Sequence, residues 1–548
     1  MDFEKEIKSR LNKELGLEIS LEVPPRLEMG DFAFACFSLA KKLKKNPQEV
    51  ANDLSEKLKF DNIKVKAQGP YLNFFIDKNI FNKQILENIL SKKYLNDRIK
   101  GSKIVIDFSA PNVAKHMGIH NLRSTVIGQA LVNLYEFKGY EVIGVNHLGD
   151  WGTNFGQLIL GIKKFSSLDK IKHVRDLNEV YVKFHELAEN NDELKQQARD
   201  EFTKLENGDE EAKKYWKKFI EVSLSDYNKI YDRLNVKFSY TKGESEYIPL
   251  INETLKEIKF LTKLDDGALV VDVGEEMPPC LLKKKDGSTL YGLRDITAGL
   301  YRLKEYNPEK ILYVTDIAQS LHFKQWFKVM ELLDKKNKER FIHVIFGRLS
   351  FKDGVMSTRK GKVVILEEVL DKSKEKALEI IKQKNPDLKN KEEVAEQIGV
   401  GSIIFNDLFN DRVHNIIFDW DKVLDFEGDT GPYVQYVYAR CNSVLNKFGK
   451  EIKEKRYSLL KEKSELELIK ILSNFNYVIK NCIKDNKPSH LAKYLVGLSR
   501  SFNTFYGNCP IITENNYLTE ARVLLVYCVK EIIGKGLDLL NIKHPEEM

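Results

Sequence analysis

Two apolar runs of β type, Lys103 to Phe108 and Tyr140 to Val145, flank a longer segment with helical periodicity. That order predicts a βαβ unit. Both predicted strands run into polar clusters. Ser109, Asn112, Lys115, His116 and His120 follow the first; Asn146, His147, Gly149, Asp150 and Gly152 follow the second. Ligands of open parallel sheets gather at the carboxyl ends of strands, so the chemistry is expected here.

The same alternation continues to about residue 370. Candidate strands are Ile104 to Phe108, Glu141 to Val145, Leu269 to Val273, Lys310 to Val314 and His343 to Phe346. They predict an α/β domain over 100–372 with a mostly parallel sheet. Charged helical segments interrupt it, read as an insertion over about 163–245. Upstream, residues 1–85 read as a small α+β module, with helical patterns at Met1 to Leu15, Cys36 to Leu43 and Asn46 to Leu58. A strand, Tyr71 to Ile76, follows the turn residues Gly69 and Pro70. Asn79 to Lys100 reads as a connecting helix. From Ser373 onward the β signals stop, and helical periodicity predicts an all-α bundle over 373–548.

Composition changes this picture little. A chain of 548 residues with 42% hydrophobic content builds several domains. No apolar run approaches the ~20 residues that span a bilayer. The charged, amphipathic N-terminus is unlike a signal peptide. Six scattered cysteines form no CxxC pair, which predicts a reducing, cytoplasmic setting without a zinc site or disulfide framework. A net charge of +7 suits a polyanionic partner without requiring one.

Three segments carry candidate chemistry. Lys115, His116 and His120 stand before a helix whose first amides suit an anion. His116 and His120 are four apart, but Gly118 intervenes and no glutamate follows, so no metal site is expected. A basic loop, Asp353 to Lys362, has Gly354 and Gly361 as hinges and suits a leaving pyrophosphate. In Tyr291 to Arg302, Tyr291 and Asp295 share a helix face. Asp295 suits a planar guanidinium, or else pairs with Arg294 or Arg302.

Taken together, SAPNVAK, LRST, NHLGDWGTNFG, YGLRD, QSLHFKQ, MSTRKG, FEGDTGPYVQY and FNTFYGNCP, in that order, resemble the class I arginyl-tRNA synthetases over almost the full length. The resemblance implies a Rossmann-like catalytic domain, a tRNA-elbow-binding N-terminal domain and an anticodon-binding C-terminal bundle. It implies ATP as substrate with Mg2+, L-arginine and tRNA(Arg) as partners, and a monomer off the membrane. Arginine would attack the α-phosphate of ATP to give arginyl-adenylate and diphosphate, and the tRNA ribose would then take the arginyl group.

By the same resemblance, Asp107, Asn112, Tyr291, Asp295 and Gln319 line the arginine pocket, with Asp295 and then Asp107 facing the guanidinium. Lys115, Gly118, His120, Asn121, Gly149, Asp150 and Gly347 meet ATP. The catalytic groups are Lys115, His116, His120, Met356, Ser357, Arg359 and Lys360. Phe74 of the N-terminal module, with Tyr433, Gln435, Tyr436, Arg440, Asn503 and Tyr506 of the bundle, would meet tRNA bases.

Two departures stand out. Where the family has H-x-G-H before LRST, this chain has Gly118, Ile119, His120 and Asn121. Either His116 and His120 serve the phosphates through a shifted loop, or the chain holds tRNA without activating arginine. The second loop matches K-M-S-K-S as Val355 to Arg359, without the first lysine.

Overall fold

The computed structural model describes residues 3–24, 26–95, 99–351, 364–452 and 454–548. Its central sheet has five parallel strands. In spatial order they are Phe341–Phe346, Lys310–Asp316, Lys103–Asp107, Glu141–Leu148 and Tyr240–Gly243. The Lys103–Asp107 run KIVID is buried over its last four residues, as a strand covered on both faces requires. The chain winds outward from this strand, then returns to its other side. The strand order therefore reverses between Lys103–Asp107 and Lys310–Asp316, and a crevice opens at their carboxyl ends.

The Ile119–Phe137 helix covers this reversal. Gly128 allows its close approach, because a Cβ there would lie 2.2 Å from the Phe108 ring. Ser124 ties the two strands beneath it: its Oγ donates to the Val314 carbonyl at 2.6 Å and accepts from the Ser109 amide at 2.9 Å.

Three predicted elements are corrected. The insertion consists of the Thr153–Phe165, Val174–Ala188, Asp192–Glu206 and Glu210–Arg233 helices. It packs Phe155, Leu158, Ile159, Phe202 and Phe219 into one core with Val113, Ala114 and Leu148 of the central domain, each large side chain contributing roughly 1.5–3 kcal/mol by burial. It ends before Tyr240–Gly243, which belongs to the main sheet. The candidate strand Leu269 to Val273 is observed as Ala268–Val271, in a separate antiparallel sheet with Thr262–Asp265 and Cys280–Lys283. Beyond residue 373, Ile416–Phe418 pairs in parallel with Leu349–Phe351. Three residues are too few to show a period in sequence.

The C-terminal bundle is built on the Gly431–Phe448, Ser489–Asn508 and Asn516–Leu539 helices. Thr430 caps the first by accepting from the Tyr433 amide, with Pro432 in its opening turn. In the N-terminal module, antiparallel strands run in the order Phe32–Ala35, Tyr71–Ile76, Ile63–Gln68. Lys470 of the bundle joins it, donating to the carbonyls of Arg26 at 2.7 Å and Gly30 at 2.6 Å. Among the described residues, no helix is long and apolar enough to cross a membrane.

Candidate active site

The loop after Asp107 is held in unusual backbone conformations. Ser109, Ala110 and Ala114 have φ of 71°, 48° and 65°. Such positions cost of order 1–3 kcal/mol each and persist only where the surroundings fix them. Here the inserted Glu210–Arg233 helix does so. The Tyr227 hydroxyl lies 2.7 Å from the Asn112 carbonyl and 2.6 Å from that of Lys115. Ser223 Oγ accepts from the Ala114 amide at 2.9 Å, and Tyr231 bonds Ser109 Oγ at 2.8 Å. Lys115, thus placed, is exposed.

His120 follows on the first turn of the Ile119–Phe137 helix, while His116 lies outside that helix and shares no face with it. His120 faces the crevice at its solvent edge. Partial desolvation lowers its pKa most; Asp316 opposes this and Lys115 reinforces it. The imidazole is therefore a neutral hydrogen-bonding group beside a lysine.

Four expected nucleotide contacts are structural instead. Asn121 Oδ1 caps the helix by accepting from the Gly118 amide at 3.0 Å, and the Asn121 amide bonds the Gly118 carbonyl. Gly149 leaves room for the Asn112 side chain and exchanges backbone bonds with Pro111 and Val113. Asp150 is buried, held by Ser245 through Oγ at 2.6 Å and the amide at 2.9 Å. Gly347 has its amide on the Arg412 carbonyl and its carbonyl on Arg123, and a Cβ would meet His414 at 2.6 Å. All four partners are remote in sequence or are backbone, which residue type does not reveal.

Met356, Ser357, Arg359 and Lys360 lie outside the described residues. The chain just beyond them does not: the Ile119 amide bonds the Val364 carbonyl at 2.9 Å, and the Leu366 amide bonds the Met117 carbonyl at 2.9 Å. The exit of the second loop is thus stitched to the helix start of the first.

The opposite wall is a charged network. Asp107 pairs with Arg302 at 2.7 Å, and both are buried. Arg302 Nη2 also lies 3.0 Å from His147 Nδ1. A guanidinium only donates, so Nδ1 accepts and the proton sits on Nε2. Burial likewise keeps His147 neutral, lowering its pKa, with Arg302 acting the same way and Asp107 opposing. Arg294 bonds Glu244 at 2.8 Å and lies over the Tyr291 ring. Burial pushes the Glu244 carboxyl up to about 7, against the pull of Arg294.

Asp295 therefore pairs with neither Arg294 nor Arg302. Its partner is His322, Nε2 to Oδ2 at 2.5 Å. Asp107, expected as a second acid for a guanidinium, is already neutralised by Arg302. Tyr291 (62% exposed) and Gln319 stand open at the crevice rim. Arg302, Glu244 and His322 were missed as members of this wall. Only the YGLRDITAGLYR and QSLHFKQ runs hinted at two of them.

On the bundle, Arg440 lies over the rings of Tyr436 and Tyr506 and donates to Asn503 Oδ1 at 2.7 Å. Asn503 in turn donates to the Tyr433 hydroxyl at 3.0 Å. Tyr433, Tyr436, Arg440 and Asn503 border a pocket of about 490 Å³ with Lys384, Phe426 and Met548. Two expected base contacts are corrected. Gln435 is buried, with Nε2 on the carbonyls of Gln397 and Lys543. Phe74 is buried in the N-terminal core, edge-on to Phe60.

Three family models match the chain: tRNA synthetases class I (R), catalytic domain, over 84–420; DALR anticodon binding domain, over 434–548; and arginyl tRNA synthetase N terminal domain, over 1–76. Curated relatives called arginine–tRNA ligase include one from Halothermothrix orenii, 44% identical with both chains fully covered. Another, from Alkaliphilus metalliredigens, is 45% identical over 96% of this chain and 95% of its own.

The chain belongs to the arginyl-tRNA synthetases.

The catalytic-domain match contains the whole crevice and extends past 373 to 420. It thereby includes Ile416–Phe418, which completes the small sheet with Leu349–Phe351. The fold agrees with arginyl-tRNA synthetase structures from Thermus thermophilus (TM-score 0.87, 24% identity, 100% of this chain and 99% of that one) and Plasmodium falciparum (TM-score 0.84, 25% identity, 100% and 99%).

Proposed function

We propose that this arginine–tRNA ligase binds its amino acid at Asp295 and its nucleotide at Lys115 and His120, across the crevice where the strand order reverses. The observation that carries the reading is Asp295. Among the described residues no lysine or arginine pairs with it, whereas Asp107 and Glu244 each hold an arginine. A guanidinium entering the crevice finds in Asp295 a carboxylate that no arginine already holds, beside the exposed Tyr291. Asn112 and Gln319 are left for the α-amino and carboxylate end.

The carboxylate of arginine then attacks the α-phosphorus of ATP, and diphosphate leaves. Lys115 supplies charge to the phosphates and neutral His120 a hydrogen bond. Met356, Ser357, Arg359 and Lys360 are assigned to the departing diphosphate. The tRNA ribose attacks the adenylate carbonyl, AMP leaves, and the product is arginyl-tRNA. Magnesium accompanying ATP would add positive charge to that supplied by Lys115; among the described residues no three His, Cys, Asp or Glu side chains group as a ligand set. The N-terminal module is assigned to the tRNA elbow, and Tyr433, Tyr436, Arg440, Asn503 and Tyr506 to anticodon bases.

A chain that holds tRNA without activating arginine is not favoured. Its motivation was the GIHN segment, and that segment forms a regular, capped helix start. The deciding experiment is charging of total tRNA with labelled arginine, ATP and magnesium. ATP-dependent, arginine-specific charging is expected. Failure to charge in a folded protein that binds tRNA(Arg) would overturn the reading.

A further inference from the structure

His322 lies on the Ser320–Leu333 helix, two residues after its first. Its neighbour Phe323 is buried and stacks on His343 with ring centroids 4.4 Å apart. Gln325 of the same helix donates to the carbonyls of Pro278 and Pro279. The backbone is therefore fixed from both sides, while the His322 and Asp295 side chains remain about one-third exposed toward the crevice, at 33% and 32%. A core histidine would be covered; this one is not.

We propose that His322 is a positioning residue for the arginine substrate, holding Asp295 Oδ2 so that the carboxylate plane is set before the guanidinium arrives. The proposal rests on Asp295 being the guanidinium partner. Rotation of an aspartate carboxylate is soft and roughly two-fold, and a guanidinium needs its acceptors coplanar with its fork. The imidazole supplies a single N–H donor, from Nε2 to Oδ2. It leaves Oδ1, and the second lone pair of Oδ2, for the substrate. Preorganisation of this kind strengthens binding by removing an ordering cost.

The test is the arginine and ATP KM in aminoacylation by the full chain, for wild type, His322→Leu, His322→Gln and Asp295→Asn. Gln places an amide donor near the position of Nε2. His322→Leu should raise the arginine KM roughly tenfold, the worth of one hydrogen bond to a charged group, with the ATP KM unchanged. His322→Gln should restore most of the loss.

If His322→Leu leaves the arginine KM alone while Asp295→Asn raises it, His322 has no positioning role and the pocket assignment stands. If Asp295→Asn also has no effect, the pocket assignment itself fails. A rise of both KM values together in His322→Leu marks a structural role and overturns the proposal. Should His322→Leu not fold, His322→Gln decides: a near-normal arginine KM supports the proposal and a tenfold rise refutes it.

Discussion

Arg123 and Asp407 stand 284 residues apart in sequence, yet Nε and Oδ2 meet at 3.0 Å with both side chains buried. Arg123 also donates to the carbonyls of Gly347 at 2.7 Å and His414 at 2.9 Å. One guanidinium thus joins the nucleotide-side helix, the end of the Phe341–Phe346 strand and the Lys391–Phe409 helix. Burial pushes the Asp407 carboxyl up to about 6, although Arg123 pulls it down.

Asp407→Asn should be strongly destabilising, because it strands a buried cation. The expected loss is about 3–5 kcal/mol at neutral pH, read from the denaturant midpoint. Replacing both partners with Arg123→Met and Asp407→Leu should lose much less. Equal losses in the single and double variants would remove the pair from the account.

Tyr227 offers a test of how the insertion serves the crevice. Its hydroxyl is the common anchor of the Asn112 and Lys115 carbonyls. Tyr227→Phe keeps the ring in its core position and releases both. The strained loop should then relax, and kcat/KM for ATP should fall roughly ten- to a hundredfold, as small displacements of reacting groups do. Stopped-flow measurement of adenylate formation checks this, alongside a tRNA affinity that should not move.

Much of this arrangement was legible beforehand, and the limits have physical causes. The βαβ unit at Lys103 to Val145 announced itself because a parallel strand buried on both faces is a continuous apolar run. Helical periodicity marked the bundle in the same way. Tyr240–Gly243 and Ile416–Phe418 were invisible because three or four residues carry no period. Asp150, Gln435 and Phe74 were misassigned to ligands because a polar or aromatic side chain looks the same whether it faces solvent or a remote buried partner. His322 was present in a quoted motif, but only the packing of Phe323 and Gln325 shows where its ring points.

Glu244 gives a prediction with a sign. Its carboxyl is raised from 4.5 to about 7, chiefly by burial. A group that binds its proton more tightly when folded stabilises the fold at low pH and loses that contribution as pH rises. The window runs from about 4.5 to about 7. The difference in Tm between wild type and Glu244→Gln should shift against the wild type across that window and stay level above it. A pH-independent difference would mean that Glu244 is ionised throughout.

Arg440 tests the bundle separately from the crevice. Its guanidinium lies 4.6 Å and 5.3 Å from the ring centroids of Tyr436 and Tyr506, which are 38% and 42% exposed. It also fixes Asn503, which fixes the Tyr433 hydroxyl. One side chain therefore orders a rim of exposed aromatic faces suited to unstacked bases. Arg440→Ala removes that order together with a cation. The tRNA affinity should weaken by about 1–3 kcal/mol, the range of one stacking platform, and become less sensitive to salt. The arginine and ATP KM values should stay as they were, because none of the described crevice residues lines the pocket beside this cluster. Arg440→Lys keeps the charge but not the planar fork, so it should recover the salt dependence without the affinity. If Lys restores both, the surface acts only as a positive patch, and base reading lies elsewhere on the bundle.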